Sequence, residues 1–529
     1  MLSSLTTGSS LLERRSILFG CVAAIYLLAF PYHPKLRSPN ELSRLWQARA
    51  WVDHGTLELG RTLAEHGWVG DLSTIDGHYY PSKAPLLSAA AVPIVAALEG
   101  VRRVRGLPAQ SLGEVPLVFW SRLFLTVLPA LAVLVFLRRF LVAYLPSPLA
   151  DALVATYALG TMALSFAQMF ISHQLTAVFL FGGFYALWRR QRGEGSSGLE
   201  VAAGAFAGAA VACEYTAAIG VIGLVVYGVL SARGLRSALA TALRATAGAL
   251  PFILGLMAYH WACFGHPLES GYRHLNDAAY QPWHLGGFLG IRIPDRRALI
   301  LSLFSPLRGL FTLSPFLLLA CGGLGILRSQ LRDRALFLST AVVSALYLYF
   351  TASFSYDSWG WTPGPRHLTP WLPFLMLPVG LAVARLQETS AESKGAQTLL
   401  GAAAGLCALS VALTATVAQV NYIPDGVSTS LFALVVPLFR SGYWVPNGLQ
   451  LFGLPGMVGG VALLSLVAVA SLQIGRGVNG RVWSRFTWLG LLIAVLLPLG
   501  ALWTATRNDA ADRAAVRQLK LSWLTPPSL

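Results

Sequence analysis

The chain has 529 residues, of which 55% are apolar and only 12% charged, about half the roughly 25% charged content of a soluble chain. Apolar blocks such as 17–32, 201–230 and 486–502 approach or exceed the roughly 20 residues needed to cross a bilayer, so a soluble globular protein is excluded. The formal charge of +16 does not point to nucleic acid, because the arginines sit in short groups between apolar blocks, where a topology signal places them.

In chain order, the first apolar block follows Arg14 and Arg15 with no small-residue cleavage site after it. It is expected to be a retained helix rather than a signal peptide. Ser38-Pro39-Asn40-Glu41 then reads as a capping box opening a helix, with Ser at the cap, Pro in the first turn and Glu three residues on. Leu42, Leu45, Trp46 and Val52 share one face and Gly55 ends the segment, the pattern of an amphipathic helix on a membrane surface. A short helix is expected over 57–66, followed by a turn-rich polar loop from Asp71 to Pro85. The next apolar stretch, Pro85–Leu98, is too short to span and reads as interfacial or re-entrant.

Thirteen crossings, near 16–32, 116–137, 148–169, 174–188, 199–213, 215–231, 245–262, 310–327, 335–352, 368–385, 397–420, 453–473 and 486–505, complete an all-α polytopic plan. They put the arginine groups at 138–139, 189–192, 233–244, 328–334, 385–394 and 476–485 on the cytoplasmic side with the N-terminus. Counting Pro85–Leu98 as a span would move all of them outside. The exceptions left outside are Arg102, Arg103 and Arg105, which would face lipid or ligand phosphates. The plan has a long first extracytoplasmic loop, 33–116, outer segments at 264–309 and 421–451, and an outer tail from Arg507. The five cysteines form no CxxC pair and imply neither a metal site nor a disulfide framework.

The order Pro-Asn-Glu-x-Ser-Arg after the first helix, then Asp-Gly-His-Tyr-Tyr-Pro-Ser-Lys-Ala-Pro over 76–85, resembles the GT-C superfamily of membrane glycosyltransferases. The nearest groups are the protein O-mannosyltransferases and aminoarabinose transferases. Phe264-Gly-His-Pro-Leu-Glu-Ser-Gly-Tyr272, Phe304-Ser-Pro-Leu-Arg-Gly-Leu310 and Trp359-Gly-Trp-Thr-Pro-Gly-Pro-Arg366 look like landmarks of bacterial members. The resemblance implies a GT-C-like catalytic module over 1–385, while 386–529 are helices and a tail not separately recognisable. It also implies an inverting transfer, on the extracytoplasmic side, of a sugar from a polyprenyl-phosphate donor to an acceptor hydroxyl. The family's acidic pair in this loop is Asp-Glu; here it is Asn40-Glu41, which leaves only Glu41 as a carboxylate.

Such a transfer needs a base for the acceptor proton and cations for the departing phosphate. Glu41 is the candidate base, with Arg44 one turn on to orient it or touch substrate. Lys83, Arg122 and Arg366 are the candidates for the carrier phosphate, because compact or forked cations suit it. His78 and Tyr80, beside Asp76 and Tyr79, would shape the sugar pocket. His173 and Glu214 fall at outer helix ends, and an ionisable group interrupting an apolar run reads as functional. Tyr272 and Trp359 would offer faces to sugar C–H surfaces, and Arg273 and His274 follow the same logic. His260, His266, His274 and His284 lack ligand-like spacing, so no metal and no cofactor are expected. The expected partners are membrane lipid, the lipid-linked donor and a glycan, lipid or protein acceptor. The alanine- and arginine-rich usage suggests a bacterial cytoplasmic (inner) membrane. Rival readings are a lipid-linked glycan ligase or polymerase, whose main outer loop would come later, and a lipid or sugar transporter or flippase, which would carry two matching halves.

Overall fold

The computed structural model describes residues 2–28, 38–108, 113–287, 290–331, 333–354, 360–444, 447–480 and 482–521. The chain is a helical, multi-pass membrane protein. Against thirteen expected crossings, seven helices among the described residues are long and apolar enough to cross a membrane. These are Glu114–Val142, Leu235–Phe264, Arg334–Ser353, Arg366–Thr389, Lys394–Ala418, Gly456–Asn479 and Arg485–Ala505.

Several expected spans differ because they are broken, and the breaks have local causes. The segment expected as one helix over 148–169 is two, Ser147–Gly160 and Met162–Ala167, with Thr161 extended between them and its hydroxyl accepting the Ala163 N–H. Residues 168–171 are then non-helical before Ser172–Gln191 begins. The 368–385 span opens as a ten-residue 3-10 stretch, Arg366–Leu375, carrying Pro370 and Pro373, which remove donors an α-helix would need. Irregular backbone at membrane depth is tolerated only when buried in protein, and residues 367–375 are all buried.

The first loop builds the part of the molecule that matters for the site. Helix α1 is Leu2–Leu28 and α2 is Pro39–Arg49, continued by a π-helical turn to His54; Gly55, at φ 65°, ends it as expected. After α3, Gly60–His66, the polar loop differs from expectation. It is an antiparallel hairpin, β1 Leu72–Ile75 and β2 His78–Pro81, in register Ile75 to His78. Asp76 and Gly77 both have positive φ, the two-residue turn that an Asp-Gly pair favours. The Thr74 N–H donates to the His274 carbonyl at 2.7 Å and the Asn276 N–H to the Leu72 carbonyl at 2.9 Å, fastening the hairpin to the 264–309 segment.

Helix α4, Leu86–Val104, runs past the expected end at Leu98. Arg102 and Arg103 both bond Glu99, one turn back, instead of needing an external phosphate. Two expectations for α2 are also corrected. The Ser38 side chain makes no capping bond, and α2 is embedded in the protein rather than laid on a surface: nine of its eleven residues, Asn40, Glu41 and Arg44 among them, are buried. Close helix approach elsewhere uses small residues. A Cβ at Gly204 would overlap the Ala245 backbone, and one at Gly401 the Thr487 backbone.

Candidate functional site

The embedded face of α2 carries Glu41, whose side chain is wholly out of solvent. Arg122 reaches it from the helix Glu114–Arg122: its Nε donates to Glu41 Oε1 at 3.0 Å and its Nη2 to Oε1 and Oε2 at 2.7 and 2.9 Å. The Phe170 N–H, freed by the break after Ala167, donates to Oε1 at 2.6 Å. The Tyr422 hydroxyl donates to Oε2. The carboxylate expected to be the base is thus saturated with donors, and Arg122, expected on the carrier phosphate, spends its charge on Glu41. A π-helical turn at Leu123–Val127 follows Arg122, and the Thr126 hydroxyl there bonds the carbonyls of Arg122 and Ala167.

A second group forms where the hairpin closes. The Ser82 N–H donates to the Asp71 carbonyl, and Lys83 Nζ lies 3.0 Å from Asp71 Oδ1. Among the described residues Asp71 Oδ2 accepts no hydrogen bond, and the side chain is 27% exposed. Burial alone would raise the Asp71 carboxyl, but the Lys83 ammonium, with Arg366 and Arg44 nearby, outweighs it and leaves the group below its ordinary value. For Lys83, burial acts to lower the ammonium, and the charge of Asp71 leads the opposing effects that leave it raised. Lys83 also stands 4.9 Å from the centre of the Tyr272 ring, a cation–π distance. Tyr272 stacks on His284 at 4.4 Å. Burial, then the charges of Lys83 and Arg366, bring His284 down to about 4, so it is neutral at physiological pH.

A third group adjoins the second. Arg44 Nη2 donates to the Ser172 hydroxyl at 3.0 Å, which donates to Glu214 Oε2 at 2.5 Å. His173 Nδ1 is 3.5 Å from the same oxygen, and its ring lies edge-on to His367 at 5.2 Å. Glu214 is held there because the helix Gly198–Cys213 ends just before it and its own backbone is extended. Arg44 Nε and Nη1 and both ring nitrogens of His173 are buried with no hydrogen-bond partner among the described residues. Buried donors left so cost free energy until a ligand or water satisfies them.

Of the sequence candidates, Lys83, Arg366, Arg44, His173, Glu214 and Tyr272 share one electrostatic neighbourhood, whereas Glu41 and Arg122 form their own pair. His78 is exposed at the hairpin turn and Tyr80 packs edge-on to Phe264, so neither joins the cluster. Arg273 is exposed, and His274 pairs with Glu269 at 2.9 Å. Trp359 lies outside the described residues. The sequence reading missed Asp71, His284, His367 and Tyr422. Among the described residues no three His, Cys, Asp or Glu side chains are grouped to hold a metal ion.

Two apolar cavities, about 500 and 430 Å³ in volume, share Leu86 and Phe252 and extend over Pro85, Leu256, Phe206 and Phe179. They begin only a few residues from Lys83.

The chain is similar to the crystal structure of ArnT from Cupriavidus metallidurans in the apo state, with a TM-score of 0.45 at 16% identity over 93% of this chain and 78% of that one. It is also similar to the same protein bound to undecaprenyl phosphate, with a TM-score of 0.47 at 14% identity over 91% and 77% of the two chains. No protein-family model matches the chain, and no curated protein matches it.

Proposed function

We propose that the protein is an inverting membrane glycosyltransferase that moves a sugar from a polyprenyl-phosphate donor to an acceptor hydroxyl on the extracytoplasmic side. One observation carries the reading: Asp71, with one carboxylate oxygen unbonded among the described residues, sits on Lys83 with Arg366 nearby, and Pro85, two positions after Lys83, lines an apolar groove. The prenyl chain would lie over Leu86 and Phe252 and its phosphate against Lys83 and Arg366. The acceptor oxygen attacks the sugar C1 as the C1–O bond to phosphate breaks. Its proton passes to Asp71 Oδ2, and the electron pair leaves on the phosphate, where the two cations stabilise it. Because the phosphate departs without protonation, no second carboxylic acid is required, unlike glycoside hydrolysis.

Asp71 takes the role of base in this reading because Glu41 could accept a proton only by giving up Arg122 or Tyr422. Glu41 instead fixes α2, and through it Arg44, against three other segments. Glu214, His173 and Arg44 meet the sugar hydroxyls, while Tyr272, stacked on His284, backs the Lys83 ammonium.

Native mass spectrometry of the purified chain with undecaprenyl phosphate, and with undecaprenol as the phosphate-free control, tests the reading. Binding of the phosphate alone is expected. Equal binding of both lipids, or of neither, would overturn it.

A further inference from the structure

Arg308 lies in the Phe304–Leu310 motif, well away in sequence from every residue given a role above. It is 5% exposed. Its Nη1 donates to the Gly360 carbonyl, at the start of the loop that ends in Arg366. Its Nη2 turns the other way, to the carbonyls of Ile423 and Pro424 at 3.3 Å each and to Asp425 Oδ1 at 2.9 Å. One residue before Ile423 is Tyr422, whose hydroxyl sits on Glu41.

The segment after Tyr422 is also held from its far end. Asp512, on the C-terminal helix Ala510–Leu519, accepts the Ser428 N–H and the Ser428 hydroxyl at 2.7 Å each. Asn421, just before Tyr422, is fully buried in the left-handed region at φ 60° and reaches the Ser165 carbonyl at 3.4 Å. A short segment under this many restraints has little freedom of its own, so its position follows the groups that hold it. Arg308 is the group that holds both this segment and the 360–366 loop.

From this we infer that Arg308 is a positioning residue, coupling the loop that carries Arg366 to the segment whose Tyr422 holds Glu41. Residues 386–529 are thereby part of the site's framework. A planar guanidinium can serve carbonyls on two sides at once; a lysine ammonium on a flexible stem cannot reproduce that fork. The structural coupling stands on the hydrogen bonds alone, whereas its consequence for catalysis rests on the function proposed above.

The test is hydrogen exchange on the purified full chain, comparing wild type with Arg308→Lys. Exchange in peptides covering 360–366 and 421–425 is expected to speed up together, by about threefold or more, with α4 unchanged. A rise confined to one of the two segments, or in neither, would overturn the coupling. Should Arg308→Lys not fold, Asp425→Asn at the half-exposed end of the ion pair takes its place, with the same joint rise expected and the same contrary results. A second arm measures undecaprenyl phosphate binding, expected to weaken about tenfold in Arg308→Lys. Wild type that fails to bind this lipid contradicts the proposed function, while the exchange arm still decides the coupling.

Discussion

Lys83 Nζ and Asp71 Oδ1 meet at 3.0 Å across the open end of the hairpin, leaving Asp71 Oδ2 without a hydrogen bond among the described residues. This pairing gives the site a carboxylate that is ionised, partly accessible and next to a cation. Asp71→Asn should therefore abolish sugar transfer, by about a thousandfold or more if it removes general-base catalysis, while leaving undecaprenyl phosphate binding within about threefold. A transfer assay in proteoliposomes beside a binding assay checks both halves. Retained transfer would reassign the base.

The pH dependence follows from the direction of the Asp71 shift. Its carboxyl is lowered on folding, with the Lys83 ammonium outweighing burial, so the base form is present throughout the neutral range and is lost only as pH falls through that depressed value. His284, at about 4, adds no step near neutrality. The transfer rate should accordingly be flat from about pH 8 to 5. A tenfold fall per unit between about pH 7 and 5 would mean that a histidine, not Asp71, takes the proton.

Glu41 and Arg122 are both almost completely buried and bonded to each other. Removing one partner strands the other's charge, which costs about 3–5 kcal/mol, whereas removing both costs less than the sum. Glu41→Ala and Arg122→Ala should each lower the thermal midpoint in detergent sharply, and the double variant should recover part of the loss. Single variants that melt like wild type would show that the pair does not anchor α2. The capping role that the local sequence suggests for Glu41 would predict a loss of only about 1 kcal/mol.

Much of this architecture was legible in the residues. Hydropathy located the long apolar helices, and Gly55 marked the end of the helix after Ser38. The breaks at Thr161 and in 168–171 were not legible, because that stretch has no proline or polar run to announce them. The candidate cluster was half legible: Lys83, Arg366, Arg44, Glu214 and His173 stood out as charges in apolar or aromatic surroundings. Asp71 did not, because it becomes Lys83's neighbour only once Leu72 pairs with Pro81. Tyr422 was invisible for a similar reason: its contact with Glu41 spans 381 positions of sequence.

Sidedness has its own check. Arg103 is 67% exposed near the end of α4, and Arg233 is exposed between the helices Ala218–Ser231 and Leu235–Phe264, in a group expected on the cytoplasmic side. Of the five free cysteines, Cys321 is the exposed one, so it is replaced by serine first. A cysteine at 103 should then react with an impermeant maleimide added to intact cells, while one at 233 should react only after permeabilisation. The reverse pattern would invert the topology and move the site to the cytoplasmic face.

The central claim, that Lys83 and Arg366 hold the phosphate of a polyprenyl-linked sugar, is tested most directly by mass spectrometry of lipid that co-purifies with the chain from its membrane. A polyprenyl phosphate, free or carrying one sugar, is expected with the wild type and at about a tenth of that level or less with Lys83→Ala or Arg366→Ala. Wild-type protein that carries no polyprenyl phosphate, or the same amount in all three proteins, would contradict it.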